Sequence, residues 1–373
     1  MSNTFNENIE IDKSLQKAAK VAINEVLGTK KDEKVLIITN PDKDVRSISM
    51  ALYDAAFEAG ALPTLIFQPV KTQLDFAEES VIRAIESNPD ITLSISKQKL
   101  GKDKFALKNP YKIGNKKYDN TFTYLLNEKK MRSFWSPSVT AKMFAETVPI
   151  DYAELREICK KIKDELDKAV EVHITAPSET DIVIGLRNRE TKADDGNFRE
   201  KGKGGNLPCG EVFVSPELGA SHGTIAFDGS ITVEDGEVVI ETPIIAKVQN
   251  GFVTEINGKD EAEELKKTIE KAEKTIKEFV SQGKIPEDME ASYIRNARNL
   301  GELGIGLNKN AKIVGNMLED EKVYGTCHIA LGSNYDEDAK SLIHLDGLIK
   351  KPTINVKYKD GSEKTIIEDG EVL

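Results

Sequence analysis

Short apolar runs alternate with amphipathic stretches over the first 170 residues. Residues 12–27 place Leu15, Ala18, Ala19, Ala22 and Val26 on one helical face, with Gly28 at a C-cap position. KVLIITN (34–40), ALPTLIF (61–67) and ITLSIS (91–96) read as strands, separated by helical runs near 44–59 and 74–87. Helical patterns around 120–131 and 151–169 close the region. Strands and helices of these lengths in alternation predict βαβ units on a parallel sheet. The first strand runs into TNPDKDVRS without a glycine fingerprint, so no dinucleotide site is expected there.

The pattern changes after about residue 170. HITAPSETDIVIGL contains a period-2 strand, and residues 190–206 are polar and glycine-rich. Asp235-Gly236, Asn250-Gly251 and Asp360-Gly361 each separate alternating runs, a strong hairpin signal because these residues tolerate positive φ. Between them, residues 260–282 form an amphipathic helix with Ala262, Leu265, Ile269, Ala272, Ile276 and Phe279 on one face. Docking on its own domain is expected rather than a coiled coil. The predicted fold is α/β: an N-terminal α/β domain with a parallel sheet (1–170) and a mixed α+β, hairpin-rich C-terminal catalytic domain (171–373).

Composition narrows the function. A chain of 373 residues exceeds the usual single core, which agrees with two domains. A net charge of −11 argues against nucleic acid as a partner, since phosphate attraction dominates that affinity. The exception is 97–117, with eight lysines and one acid, Asp103, read as a solvated mobile loop; a lid role over a substrate entrance is left open. MSNTFNENIEIDKSL has no basic n-region and no apolar run, so no signal peptide is expected. No window approaches the roughly 20 apolar residues of a membrane span. Cys159, Cys209 and Cys327 have no metal-type spacing and read as buried fillers in a reducing, cytoplasmic protein.

Chemistry concentrates in the last third. His328 in CHIALG and His344 and Asp346 in IHLD lie within a short span, in a chain with only 4 histidines. His344 and Asp346 share a face if their segment is extended, because strand side chains alternate. Glu302 in GELGIGLN stands among apolar neighbours, where an acid is costly unless paired or metal-bound. Glu211 in NLPCGEVF and Glu321 in LEDEK complete a nitrogen–oxygen donor set with almost no intervening basic residues. Such donors suit Zn²⁺, Co²⁺, Mn²⁺ or Fe²⁺ and predict a metal-dependent enzyme, in the first instance a hydrolase. His173, at the start of a strand, and His222, in a turn, read as structural or peripheral.

NLPCGEVF, GELGIGLN, LEDEK, HIALGSNY and LIHLD, in this order, resemble the thermophilic metallo-aminopeptidases typified by aminopeptidases T and S, over roughly residues 170–350. The resemblance implies a homodimeric exopeptidase acting on small peptides with two divalent ions per chain, Zn²⁺ or Co²⁺, with Mn²⁺ also suitable. It implies Glu211, Glu302, Glu321, His328, His344 and Asp346 as ligands, and places Tyr335, seven residues after His328, at the reaction centre. In that mechanism a metal-activated water attacks the peptide carbonyl, Glu302 or Glu321 takes its proton, and Tyr335 donates to the oxyanion.

Three departures stand out: a longer Glu211–Glu302 separation, a shorter His328–His344 link, and two extra residues between Glu321 and His328. The histidine and HxD positions also resemble ring-cleaving dioxygenases of dihydroxypyridines, whose two histidines and one carboxylate would hold one Fe²⁺. A non-catalytic metal-binding relative is the remaining alternative.

Overall fold

The computed structural model describes residues 3–5 and 11–373, so part of the stretch read above for a leader lies outside the described residues. The chain forms two compact units, 1–156 with 194–209, and 157–193 with 210–373. They are therefore not the unbroken halves 1–170 and 171–373. Residues 194–209 return to the first unit because Gly204–Asn206 pairs in parallel with Ser133, Phe134 and Trp135.

The first unit is built on a five-stranded parallel sheet. Its order is Gly204–Asn206, Arg132–Pro137, Ile91–Ser96, Lys34–Thr39, Leu62–Phe67. The strand Ile91–Ser96 is buried throughout and Lys34–Thr39 is buried after its first residue, as expected where helices cover a parallel sheet. The first helix, Lys13–Val21, is capped by Asp12 and continues as a π-turn over Ala22–Val26, with Gly28 at φ +56°. The expected helix near 74–87 is shorter, Glu79–Glu86. Asp75 is diverted into a turn by accepting the Thr72 amide at 2.8 Å, and Gln68 Oε1 accepts the Glu78 amide.

The lysine-rich segment is not a loop throughout. Lys104–Lys108 is helical and Tyr111–Ile113 pairs with Lys116–Tyr118 as a hairpin. Asp103 organises it from the interior, accepting the Phe105, Ala106 and Thr121 amides at 2.9 Å each. Tyr111 stacks on Tyr124 with ring centroids 4.3 Å apart. The lysine charges hide these anchors from a composition-based reading.

The second unit contains two antiparallel sheets. The eight-stranded sheet holds Ala169–Thr175, Asp181–Gly185, His222–Phe227 and both hairpins turning at Asn250-Gly251 and Asp360-Gly361. Asn250 (φ +51°) and Gly251 (φ +78°) adopt the positive φ pair that a tight hairpin needs. The seven-stranded sheet runs Gly236–Val239, Ser230–Val233, His344–Lys350, Thr326–Gly332, Leu300–Gly306, Glu211–Val214, Lys192–Asp194. The helix Asp260–Ser281 buries Leu265, Ile269, Ala272 and Ile276 against strands of its own unit, as its amphipathic pattern predicts. No helix among the described residues is long and apolar enough to cross a membrane.

Candidate metal centre

Register alone gathers most of the candidate ligands. In the seven-stranded sheet Gly304 pairs with His328, Glu302 with Ala330, Ala330 with Asp346, Gly332 with His344, and Glu211 with Gly306. Directly opposed residues point to the same side of a sheet and neighbours along a strand alternate. Glu211, Glu302, His328, His344 and Asp346 therefore project from one face. The opposite face carries Val212, Leu303, Ile305, Cys327, Ile329, Leu331, Leu345 and Ile349, all buried. A bulge between Leu300 and Glu302 re-aims the strand so that Glu302 turns toward the site while Leu300 stays with the core.

The small residues between the ligands are part of this arrangement. A Cβ on Gly304 would stand 1.9 Å from His328 Nε2, so the imidazole occupies the space a side chain would take. A Cβ on Gly306 would stand 2.2 Å from the Val323 carbonyl, so the segment bearing Glu321 and Lys322 can lie close over the strand. In sequence terms, GELGIGL alternates site positions (Glu, Gly, Gly) with core positions (Leu, Ile, Leu).

Among the described residues two groups of metal-competent donors result: Glu302, His344 and Asp346, and Glu211, Glu321 and His328. Glu302 spans them, with Oε1 at 3.4 Å from His328 Nε2 and Oε2 at 3.1 Å from His344 Nε2. His344 Nε2 is also 3.4 Å from Asp346 Oδ1, and His328 Nε2 is 3.5 Å from Glu211 Oε2. His344 Nδ1 lies 2.8 Å from the Ser333 carbonyl; donation to that carbonyl leaves Nε2 facing the carboxylates, the orientation a metal-ligating imidazole requires.

The donor chemistry fits a divalent ion. Asp346 Oδ1 and Glu211 Oε2 are buried and accept no hydrogen bond, which is costly for a carboxylate oxygen lacking another partner. The first group fits in full. In the second, both acids already face a cation: Lys322 Nζ donates to Glu211 Oε1 and to Glu321 Oε1, each at 2.5 Å. Lys322 is fully buried, so the expectation of a site almost free of basic residues is corrected here.

The three acids of LEDEK divide their work. Glu319 Oε1 accepts the Lys312 amide, and Asp320 accepts from Ser230 and the amides of Val314, Gly315 and Asn316. Glu321 is the acid that reaches the donor group. Tyr335, at 53% exposure, lies at its edge, its ring 5.4 Å from that of His344 and 5.2 Å from that of Phe213. Partial desolvation and the nearby Glu302 and Asp346 raise its phenol pKa; with half the side chain open to solvent, the charges carry more weight.

Other sequence candidates lie elsewhere. His173 pairs with Asp181 at 2.7 Å on the face of an interior strand of the eight-stranded sheet, and His222 is exposed at a strand start. The three cysteines are buried and outside any disulfide, and none belongs to a donor group among the described residues.

Charge coupling sets the protonation of the metal-free site. Burial alone would lower His328, but Glu302, Glu211 and Asp346 raise it to about 9; His344 is raised as well, against burial, chiefly by Asp346. Burial would raise Asp346, but His344 brings it down to about 2. Burial raises Glu211 above the ordinary carboxylate range, with Lys322 opposing. A group whose folded pKa is raised contributes stability below its unfolded pKa and loses it as pH rises through the folded one. His328 thus stabilises the metal-free protein below about 6.5, an effect lost by about 9. Glu211 and His344 act in the same direction. We expect the Tm of EDTA-treated protein to fall from pH 6 to 9 and stabilisation by added Mn²⁺ to grow over the same range, because a ligand must first lose its proton. Melting curves at stepped pH check this; a metal-free Tm that rises with pH would contradict it.

The fold and this donor set define an enzyme with buried metal-binding residues. A family model described as NicX, 2,5-dihydroxypyridine 5,6-dioxygenase, matches residues 136–372, and the chain belongs to that family. Among solved structures, it is similar to the 2,5-dihydroxypyridine dioxygenase of Pseudomonas putida KT2440 (16% identity, 96% of each chain, TM-score 0.69). It is also similar to wild-type AmpT of Thermus thermophilus (20% identity, 97% of this chain and 99% of that one, TM-score 0.63). At these identities the structures establish the shared fold, a parallel N-terminal sheet followed by antiparallel sheets. Among curated proteins none matches the chain.

Proposed function

We propose that this protein is a metal-dependent dioxygenase that opens the ring of a hydroxylated nitrogen heteroaromatic, with 2,5-dihydroxypyridine the first compound to test. The observation that carries the reading is the convergence of two imidazoles and one carboxylate, His328, His344 and Asp346, on one sheet face within the family-matched segment. Two histidines and a carboxylate are the donor set of non-haem iron oxygenases. A reduced iron held by these residues would supply the reactivity toward dioxygen, both of whose atoms end in the opened product.

The remaining side chains have separable tasks. Ser333 keeps His344 in the ligating tautomer. Glu302, bounded by both imidazoles, holds its charge below the ordinary carboxylate range despite burial, through hydrogen bonds from His328 and His344, and is placed to accept a proton from a substrate hydroxyl. Phe213 and Tyr335 give the substrate ring an aromatic edge beside His344.

A second reading, an aminopeptidase using a metal-activated water, draws support from the acids that stand beyond the triad. Glu211 and Glu321 reach the same site, and Glu302 directs a different oxygen toward each imidazole, as a bridging carboxylate would. In that case small peptides are the substrates, Zn²⁺, Co²⁺ or Mn²⁺ the ions, and Tyr335 a donor to the oxyanion. Parallel assays separate the two: oxygen uptake by anaerobically Fe²⁺-loaded protein on adding 2,5-dihydroxypyridine, and release from leucyl and other aminoacyl anilides with Zn²⁺, Co²⁺ or Mn²⁺. We expect substrate-dependent oxygen uptake and no anilide cleavage. Metal-dependent cleavage without oxygen uptake would replace the first reading with the second.

A further inference from the structure

The site has two donor groups, and one already contains a cation. Glu211 Oε1 and Glu321 Oε1 each lie 2.5 Å from Lys322 Nζ, and Lys322 has no exposed surface. We propose that the Lys322 ammonium is a built-in second cation that permanently fills the Glu211–Glu321 side of the site, so that the chain binds a single divalent ion, at His328, His344 and Asp346.

Charge and packing carry the proposal. Four carboxylates, Glu211, Glu302, Glu321 and Asp346, converge on a buried region, and uncompensated buried charges are strongly unfavourable. Two divalent ions would answer that charge; one divalent ion and a fixed ammonium answer it with less. An ammonium is a compact point charge with three donors and can hold two carboxylate oxygens at once. Its position is fixed by the backbone rather than by a mobile side chain. The Lys322 carbonyl accepts the Asn308 amide at 2.8 Å, and its own amide donates to Glu319 at 2.9 Å. Asp320, clamped by Ser230 and three amides, holds the preceding helical turn. Gly306 lets the following residue approach the sheet, where any side chain would collide with the Val323 carbonyl. A second metal would have to share both carboxylates with the ammonium already bound to them.

The inference rests on the reading that the neighbouring half holds a metal, and it needs no substrate to test. Mn²⁺ is titrated into metal-free wild-type protein and K322A, with bound ions counted by elemental analysis and the spin state followed by electron paramagnetic resonance. Wild type is expected to saturate at one ion per chain with a mononuclear spectrum. K322A is expected to take a second, giving the spectrum of two interacting ions. Because K322A leaves Glu211 and Glu321 unpaired, its Tm is expected to be below that of wild type and to recover with methylammonium, which should also compete with the second ion. Two ions in wild type, or one ion in a folded K322A, would overturn the role of Lys322. No ion in either protein would instead overturn the metal reading on which it rests.

Discussion

His344→Ala is expected to remove metal and turnover together while leaving the fold in place. The side chain is 24% exposed, so truncation opens no large internal cavity and should cost little stability. Its Nε2 is within 3.1 Å of Glu302 and 3.4 Å of Asp346, so no other nitrogen of that donor group replaces it. Loss of partners that only orient metal ligands costs about 10–100-fold in affinity or activity, so loss of the ligand itself should exceed that. Metal content after gel filtration, turnover and circular dichroism are measured together. His173→Ala and His222→Ala serve as controls and should change none of them. An H344A protein that retains stoichiometric metal would remove His344 from the site.

Gly304→Ala is expected to be nearly as damaging, although position 304 contributes no functional group. Its Cβ would stand 1.9 Å from His328 Nε2 and 2.1 Å from Cε1, distances no packing adjustment at those atoms tolerates. The imidazole must rotate away or the paired strands must separate. Overpacking of a well-filled interior costs about 1–3 kcal/mol, and the displaced ring would no longer face Glu302. We expect a lower Tm and weakened metal binding in the same variant. Gly361→Ala, at a turn where nothing lies within 4 Å but φ is +85°, should lower the Tm without touching metal affinity. Equal metal affinity in G304A and wild type would show that the space beside Gly304 is not reserved for His328.

Much of this architecture was legible in the chain. The Asn250-Gly251 and Asp360-Gly361 hairpins form where turn chemistry demands positive φ, and the strands KVLIIT and ITLSIS lie where short runs rich in apolar and small hydroxyl residues fit burial. The gathering of these side chains on one sheet face was legible for a related reason. Strands whose alternate positions read Glu-Gly-Gly or His-Ala-Gly devote one face to function, and a buried acid such as Glu302, at 3% exposure, needs a partner.

What stayed hidden depends on contacts without a local signature. Gly204–Asn206 is only three residues long, and nothing in it announces a parallel pairing with Ser133–Trp135. The bulge beside Gly301 turns Glu302 inward through register, which periodicity does not encode. Lys322 was the most consequential omission. A lysine in LEDEK looks like part of a solvated charge run, and only the tertiary position of that turn makes it a buried cation between Glu211 and Glu321.

The most direct test of the proposed ring-opening reaction is the fate of isotope-labelled dioxygen. Fe²⁺-loaded protein is mixed with 2,5-dihydroxypyridine under labelled O2, and the product is analysed by mass spectrometry. The account predicts both labelled oxygen atoms in one ring-opened product and no product without the metal. An unaltered heterocycle, alongside metal-dependent cleavage of aminoacyl anilides by the same preparation, would contradict it and assign the site to hydrolysis.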